Sequence, residues 1–230
     1  MKTIGLLGGM SWESSVLYER LINEGVRSRL GGLHSADLIV RSYDFAEIEA
    51  LQRSGEWDIA GQLLAEDARR LEWAGAEIVV LCTNTMHKVA PAIEAALGVP
   101  FLHLADATAQ AVRSAEVGRV ALLGTRFTME EDFYRERLEA HGLTIEVPDA
   151  DGRALVDRVI FDELVRGVVT DESRTAYLGI IDRMVTEGAE GVIAGCTEIE
   201  LLVGPEDVPV PYFPTTAIHA TAAVEAALAP

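Results

Sequence analysis

The sequence predicts an α/β fold built from two pseudo-symmetric, doubly wound parallel-sheet domains. Three observations carry that reading. Short apolar runs alternate with amphipathic stretches, the pattern of parallel strands joined by crossover helices. Two of those runs end in a glycine turn, Leu7-Gly8-Gly9 and Leu123-Gly124. The same order of features also occurs twice along the chain.

The first copy opens with an apolar strand near 3–7, the Gly8-Gly9 turn, and a helix carrying Tyr18 and Leu21. The second opens with Arg119-Val120-Ala121-Leu122-Leu123-Gly124, then Tyr134 and Leu138. Ile4 maps to Val120, Gly8 to Gly124 and Tyr18 to Tyr134, an offset of 116 residues. A second pair follows in the same order. Gly75-Ala76-Glu77 leads through an apolar run to Cys82-Thr83, and Gly188-Ala189-Glu190 leads likewise to Cys196-Thr197, at an offset of 113 to 114. The third pair is Val99-Pro100 and Val208-Pro209, at an offset of 109. Three pairs in register make a duplicated unit.

Strands are expected near 3–7, 37–41, 77–81, 101–104, 119–123, 143–146 and 191–194. Helices are expected near 11–29, 57–73, 86–96, 128–140, 156–166, 171–186 and 215–228. In the second of these helices Ala60, Leu64, Ala68 and Leu71 trace one face. The first domain is placed at 1–105, joined by a returning segment at 213–230, and the second at 106–212.

The chain has 230 residues, 49% hydrophobic and 24% charged, which suits a soluble globular protein with a substantial core. Its net charge of -18 argues against nucleic acid and anionic membranes as partners. No apolar run is long enough to span a bilayer. The N-terminal strand is broken by Gly8-Gly9 too early for a signal-peptide core, so a cytoplasmic location is expected. Two cysteines are too few for a disulfide framework, and their wide separation fits no cysteine-based metal site, so no metal is expected.

In open parallel sheets, ligands bind beyond the carboxyl ends of the strands. Cys82 and Cys196 are read at that position, followed by Thr83-Asn84-Thr85 and Thr197-Glu198. Free backbone N–H groups at such helix starts favour a carboxylate and lower a thiol pKa. Two thiols on opposite sides of a bound molecule suit inversion of a carbon stereocentre, one acting as base and the other as acid. A single cysteine after a strand is usually a small buried hydrophobe, and Thr83, Asn84 and Thr197 are ordinary caps. The argument for function is that the Cys-Thr pair occurs twice. Gly8-Gly9 lacks the dinucleotide spacing, so it is read as allowing close backbone approach to a ligand. His87 and Lys88 fall on the helix after Cys82. His87 is read either as tuning that thiol or as a core residue.

Gly5-Leu6-Leu7-Gly8-Gly9-Met10-Ser11-Trp12-Glu13-Ser14, Cys82-Thr83-Asn84-Thr85-Met86-His87-Lys88, Leu122-Leu123-Gly124-Thr125-Arg126-Phe127-Thr128-Met129-Glu130 and Gly195-Cys196-Thr197-Glu198 give the chain a family likeness. It resembles the aspartate/glutamate racemase superfamily, and within it the bacterial broad-specificity amino-acid racemases. The resemblance implies an aspartate/glutamate racemase-like fold and a homodimer. It also implies L/D interconversion of a small-molecule amino acid with no cofactor, pyridoxal phosphate included. Cys82 and Cys196 are then the paired catalytic groups. Met10, Gln52, Thr83, Asn84, Thr85, Thr125, Thr197 and Glu198 bind substrate. Aspartate-selective members carry a lysine where this chain has Arg166, a departure that favours broad specificity. A dicarboxylate isomerase or decarboxylase of the same superfamily, and a non-catalytic amino-acid-binding protein, are the alternatives.

Overall fold

Period-two alternation of apolar side chains lets one strand serve two core layers, and both sheets are built that way. A computed structural model describes all 230 residues, Met1–Pro230. The chain forms two compact units, Met1–Leu104 with His219–Pro230, and Ala105–Ile218.

In the first unit the strands are β1 (Ile4–Gly8), β2 (Leu38–Ser42), β3 (Ile78–Leu81) and β4 (Phe101–Leu102), all parallel, in the order β2-β1-β3-β4. On one face Ile4, Leu6, Ile78 and Val80 pack with Tyr18, Ile22 and Val26 of α1 (Trp12–Leu30) and with Ala220, Ala223 and Val224. On the other face Leu7, Val79 and Leu81 pack with Ala60, Leu64, Ala68 and Leu71. The stripe expected on one helix face is therefore the buried face of that helix. Each fully buried Ile, Leu or Val contributes about 1.5–3 kcal/mol.

Between β2 and β3 stand two helices, α2 (Phe45–Ser54) and α3 (Trp57–Trp73). The sequence reading did not mark α2, yet its punctuation is clear. Asp44 caps its start, accepting from the Ala46 N–H, and Gly55 ends it with a φ of 74°. The helix expected at 86–96 is instead a 3-10 turn at Thr85–Val89 followed by α4 (Ala90–Ala96). Val89, with φ -101° and ψ 11°, departs from helical geometry between the two pieces, and Pro91, in the first turn of α4, has no N–H to carry a hydrogen-bond ladder across the break. α5 (Leu104–Ser114), also unmarked, follows β4.

The second unit repeats the order as β6-β5-β7-β8, again parallel. Its strands are β5 (Arg119–Gly124), β6 (Thr144–Glu146), β7 (Gly191–Gly195) and β8 (Tyr212–Pro214). The expected helix at 128–140 is two, α6 (Arg126–Glu130) and α7 (Asp132–Glu139), parted by Glu131 in an extended conformation with ψ 151°. α8 (Ala150–Asp162) and α9 (Asp171–Thr186) begin at Asp149 and Thr170, whose side chains accept from the N–H groups of Gly152 and Ser173. They supply Val156, Val159, Ile160, Tyr177, Ile180 and Ile181 to a core with Ala121 and Leu123. α10 (Thr215–Leu228) closes the chain. No helix is long and apolar enough to cross a membrane.

His219 on α10 is 0% exposed. Its Nε2 lies 2.9 Å from the Leu102 carbonyl, which can only accept, so Nε2 carries the proton. Nδ1 then accepts from the Tyr18 hydroxyl at 2.9 Å. Burial lowers the pKa of this neutral ring to about 4, against a partly opposing hydrogen bond to Leu102. The unfolded imidazole titrates near 6.5. Between those values the unfolded chain binds a proton that the folded chain refuses, so stability is intact above about pH 6.5 and falls as pH drops toward 4. His219 alone accounts for about 3 kcal/mol over that window. Urea unfolding at pH 7 and pH 4.5 should show that loss, and His219→Gln should flatten it. An unchanged slope in the variant would refute the assignment.

Candidate active site

Two strand ends carry the chemistry, and sheet register decides which residues correspond. Ile4 pairs with Ile78, and Val120, its counterpart, pairs with Gly191. Counting forward, Leu81 corresponds to Ala194, Cys82 to Gly195 and Thr83 to Cys196. Burial agrees with this, since Cys82 and Gly195 are buried while Thr83 and Cys196 are half-buried. The expectation that the two cysteines stand at equivalent points is thus corrected. The two Cys-Thr pairs match at an offset of 114, but the sheets match at 113.

Alternation explains where Cys82 goes. It continues the β3 ladder, its N–H donating to Leu7 O at 2.9 Å. Its side chain therefore follows Ile78 and Val80 into the core layer with Tyr18 and Ala220. It is a free thiol, 0% exposed, and burial holds its pKa far above the ordinary range. Thr83 leaves the ladder half-buried, with its N–H bonded to Leu81 O at 2.9 Å in a tight turn.

The first unit holds several of the expected binding residues. Asn84 precedes the 3-10 turn that Thr85 begins, its carbonyl accepting the His87 N–H at 3.0 Å, and both residues are buried. Gln52 on α2 donates from Nε2 to Met86 Sδ at 3.0 Å, and Met10 packs in the same cluster as Met86. The Gly8-Gly9 turn lies close against protein backbone. Tyr43 N–H donates to Gly8 O at 3.0 Å, and a Cβ on Gly9 would lie 2.3 Å from Tyr43 N. Lys88 sits over the Trp57 ring, 4.0 Å from its centroid.

In the second unit, the Cys196 thiol donates to Glu198 Oε2 at 2.9 Å. Burial, then the Glu198 carboxylate, pushes the thiol pKa well above its ordinary value, so the resting group holds its proton. Glu198, expected as a substrate contact, is 8% exposed and is bonded to the thiol itself. The Thr197 hydroxyl pairs with that of Thr216 at 2.8 Å. Thr125 caps α6, accepting from the Thr128 N–H at 3.4 Å. Arg166, the departure noted in the sequence, ends a short 3-10 turn and is exposed.

Two residues of this site were not marked by sequence reading. Glu200 has a pKa raised to about 7, by burial first and the Glu198 charge last, against hydrogen bonds to Thr216 that lower it. Thr216 is the second residue of α10, just beyond β8, and Thr215-Thr216 after a short apolar run was its legible signal. No group of three or more His, Cys, Asp or Glu side chains is arranged to hold a metal ion.

The family model described as Asp/Glu/Hydantoin racemase matches residues 7–223. Among solved structures, a candidate Asp/Glu racemase from Yersinia pestis is 53% identical, covers 100% of both chains and superposes with a TM-score of 0.95. The broad specificity amino-acid racemase RacX of Bacillus subtilis is 21% identical over 98% of both chains. The glutamate racemase of Streptococcus gordonii is 27% identical over 65% of this chain. That match spans about half of the streptococcal protein, 53% of its length.

Proposed function

The chain belongs to the Asp/Glu/Hydantoin racemase family, and from that premise we propose that it interconverts L- and D-amino acids without a cofactor, with Cys196 as an acid/base thiol. The observation that carries the reading is the 2.9 Å hydrogen bond from Cys196 Sγ to Glu198 Oε2 at the carboxyl end of β7. A buried thiol is a weak base until its proton is taken, and a carboxylate within hydrogen-bond distance can take it. The thiolate then removes the α-proton of an amino acid, and the thiol returns one in the reverse direction.

Racemisation also needs a group on the opposite face of the α-carbon. Thr83 corresponds in register to Cys196, which supports proposing its hydroxyl, rather than the Cys82 thiol, as that second group. Asn84, Thr85 and Thr197 are assigned to the α-carboxylate and amino group, and Met10, Gln52 and Thr125 to the pocket wall. Carbanion character at the α-carbon is stabilised by oriented donors in a dry site. Broad specificity is part of the proposal. It rests on the absence of the lysine expected at position 166 and on the likeness to a relative described as broad-specificity.

The test is incubation of the purified protein, without added cofactor, with L-aspartate, glutamate, homoserine, methionine, alanine and lysine in D₂O. The expected result is the D-enantiomer carrying α-deuterium for several of them. Release of CO₂ from malonates with no inversion of any amino acid would instead make it a decarboxylase. Neither reaction, with binding retained, would make it a binding protein. Variants separate the two assignments at β3. Cys82→Ala should keep activity within about threefold, while Thr83→Val should lose about 10² to 10⁴-fold. The opposite ranking, in folded variants, would restore Cys82 to the mechanism.

A further inference from the structure

We propose that His87 is a positioning residue, a neutral imidazole bridge that fixes the Thr83 turn against the start of α5. The inference rests on the active-site reading above and adds a residue that this reading leaves without a role.

The geometry defines the tautomer. His87 Nδ1 lies 2.7 Å from the Thr83 carbonyl oxygen, which can only accept, so Nδ1 carries the proton. Nε2 is then bare, and it accepts the Leu104 N–H at 3.2 Å. The ring is 2% exposed. It meets His103 edge-on at 4.6 Å between centroids and lies 5.8 Å from Phe101. Its freedom to rotate is therefore small.

The two backbone groups it joins belong to different strand ends. Thr83 leaves β3, and Leu104 opens α5 just after β4. The ladder does not hold this part of β4 firmly, because β4 pairs with β3 at only two positions, Val79 with Phe101 and Val80 with Leu102. Beyond Leu102 a side chain takes over the task of the ladder. A rigid ring with a donor on one edge and an acceptor on the other suits that task. Among ordinary side chains, neutral histidine and the amides offer both on a planar frame. Another buried imidazole, His219, ties down the same strand end through Leu102 O, with the opposite tautomer.

A proton-transfer group works only when it is placed to within a fraction of an ångström, and a misplacement of about 1 Å costs about a hundredfold in rate. The bridge is what sets the placement of Thr83.

The experiment compares full-length His87→Met, which fills the space without either hydrogen bond, with His87→Gln, which keeps a donor and an acceptor. The readouts are kcat and KM for the best amino acid of the panel, together with thermal melting. His87→Met should lower kcat about a hundredfold with KM within about threefold, and His87→Gln should recover at least about tenfold of that loss. A His87→Met kcat within about threefold of wild type overturns the proposal, as does a His87→Gln no better than His87→Met. If His87→Met does not fold, ¹⁵N NMR of the wild-type imidazoles decides. A proton on Nδ1 of His87 is expected, and a proton on Nε2 overturns the bridge. Should the wild-type protein racemise nothing, the site reading fails, while the NMR tautomer still tests the bridge separately.

Discussion

Cys196→Ala is expected to lower racemisation by about 10² to 10⁴-fold, the contribution of a positioned acid/base group, while leaving the melting transition in place. The residue is half-buried at the edge of the second core and makes no side-chain cap to the 3-10 turn that follows. Removing one sulfur there opens little space. Its chemical role has no substitute, since Glu198 would lose the thiol it bonds at 2.9 Å. Cys196→Ser is the sharper variant, because it keeps a hydroxyl donor for Glu198 and removes the acidity. Chirality and α-deuterium incorporation in D₂O should both be lost in Cys196→Ser, although its hydrogen bond survives. A serine variant within about tenfold of wild type would move the acid/base role away from position 196.

Gly9→Ala is the largest stability effect expected, more than about 3 kcal/mol, with poor recovery of folded protein. Gly9 has a φ of 87°, where an L side chain is strained. A Cβ there would stand 2.3 Å from Tyr43 N and 2.4 Å from Tyr43 O, both backbone atoms that cannot swing aside. The turn is also fixed by Ser15 Oγ, which accepts the Gly9 N–H at 2.6 Å. Gly31→Ala is the control, since its φ is 73° but nothing lies within 4 Å of the added carbon. That variant should cost only the strain of its backbone, φ 73° with ψ -173°, about 1–3 kcal/mol. Urea midpoints measure both, and a Gly9→Ala loss no greater than that of Gly31→Ala would contradict the steric account.

Strand and helix alternation made the two-sheet architecture readable from sequence, because buried parallel strands are short apolar runs and little else in the chain looks like them. The helices the sequence reading omitted, α2 and α5, lie in stretches with mixed polarity. The capping signals Asp44 and Gly55 marked α2, but the apolar spacing alone was too sparse. The error at Cys82 has a different origin. Matching Cys-Thr with Cys-Thr follows residue identity, whereas a strand assigns faces by counting from its pairing partner. The alternation of Ile78, Val80 and Cys82 was visible in the sequence and pointed into the core. What could not be read was the register between strands far apart in the chain, which matches Thr83, and not Cys82, with Cys196. The bond from Cys196 to Glu198 was within reach, since the two residues are neighbours in a turn; its direction, toward the thiol rather than a ligand, was not.

The two strand ends are unlike, with Thr83 where the other sheet has Cys196, and thermodynamics limits what that asymmetry can do. Enantiomers in an achiral solvent are equal in free energy, so their equilibrium constant is unity. The ratio kcat/KM must therefore be the same in the L-to-D and D-to-L directions, whatever groups the protein supplies. Two unlike proton-transfer groups, as proposed above, can still unbalance the individual constants. The enantiomer that turns over more slowly must then saturate at proportionally lower concentration. On the proposed reaction, the slower direction is the one with the tighter apparent hold on its substrate, and progress curves started from pure L and pure D substrate should differ in shape while ending at the same racemic point.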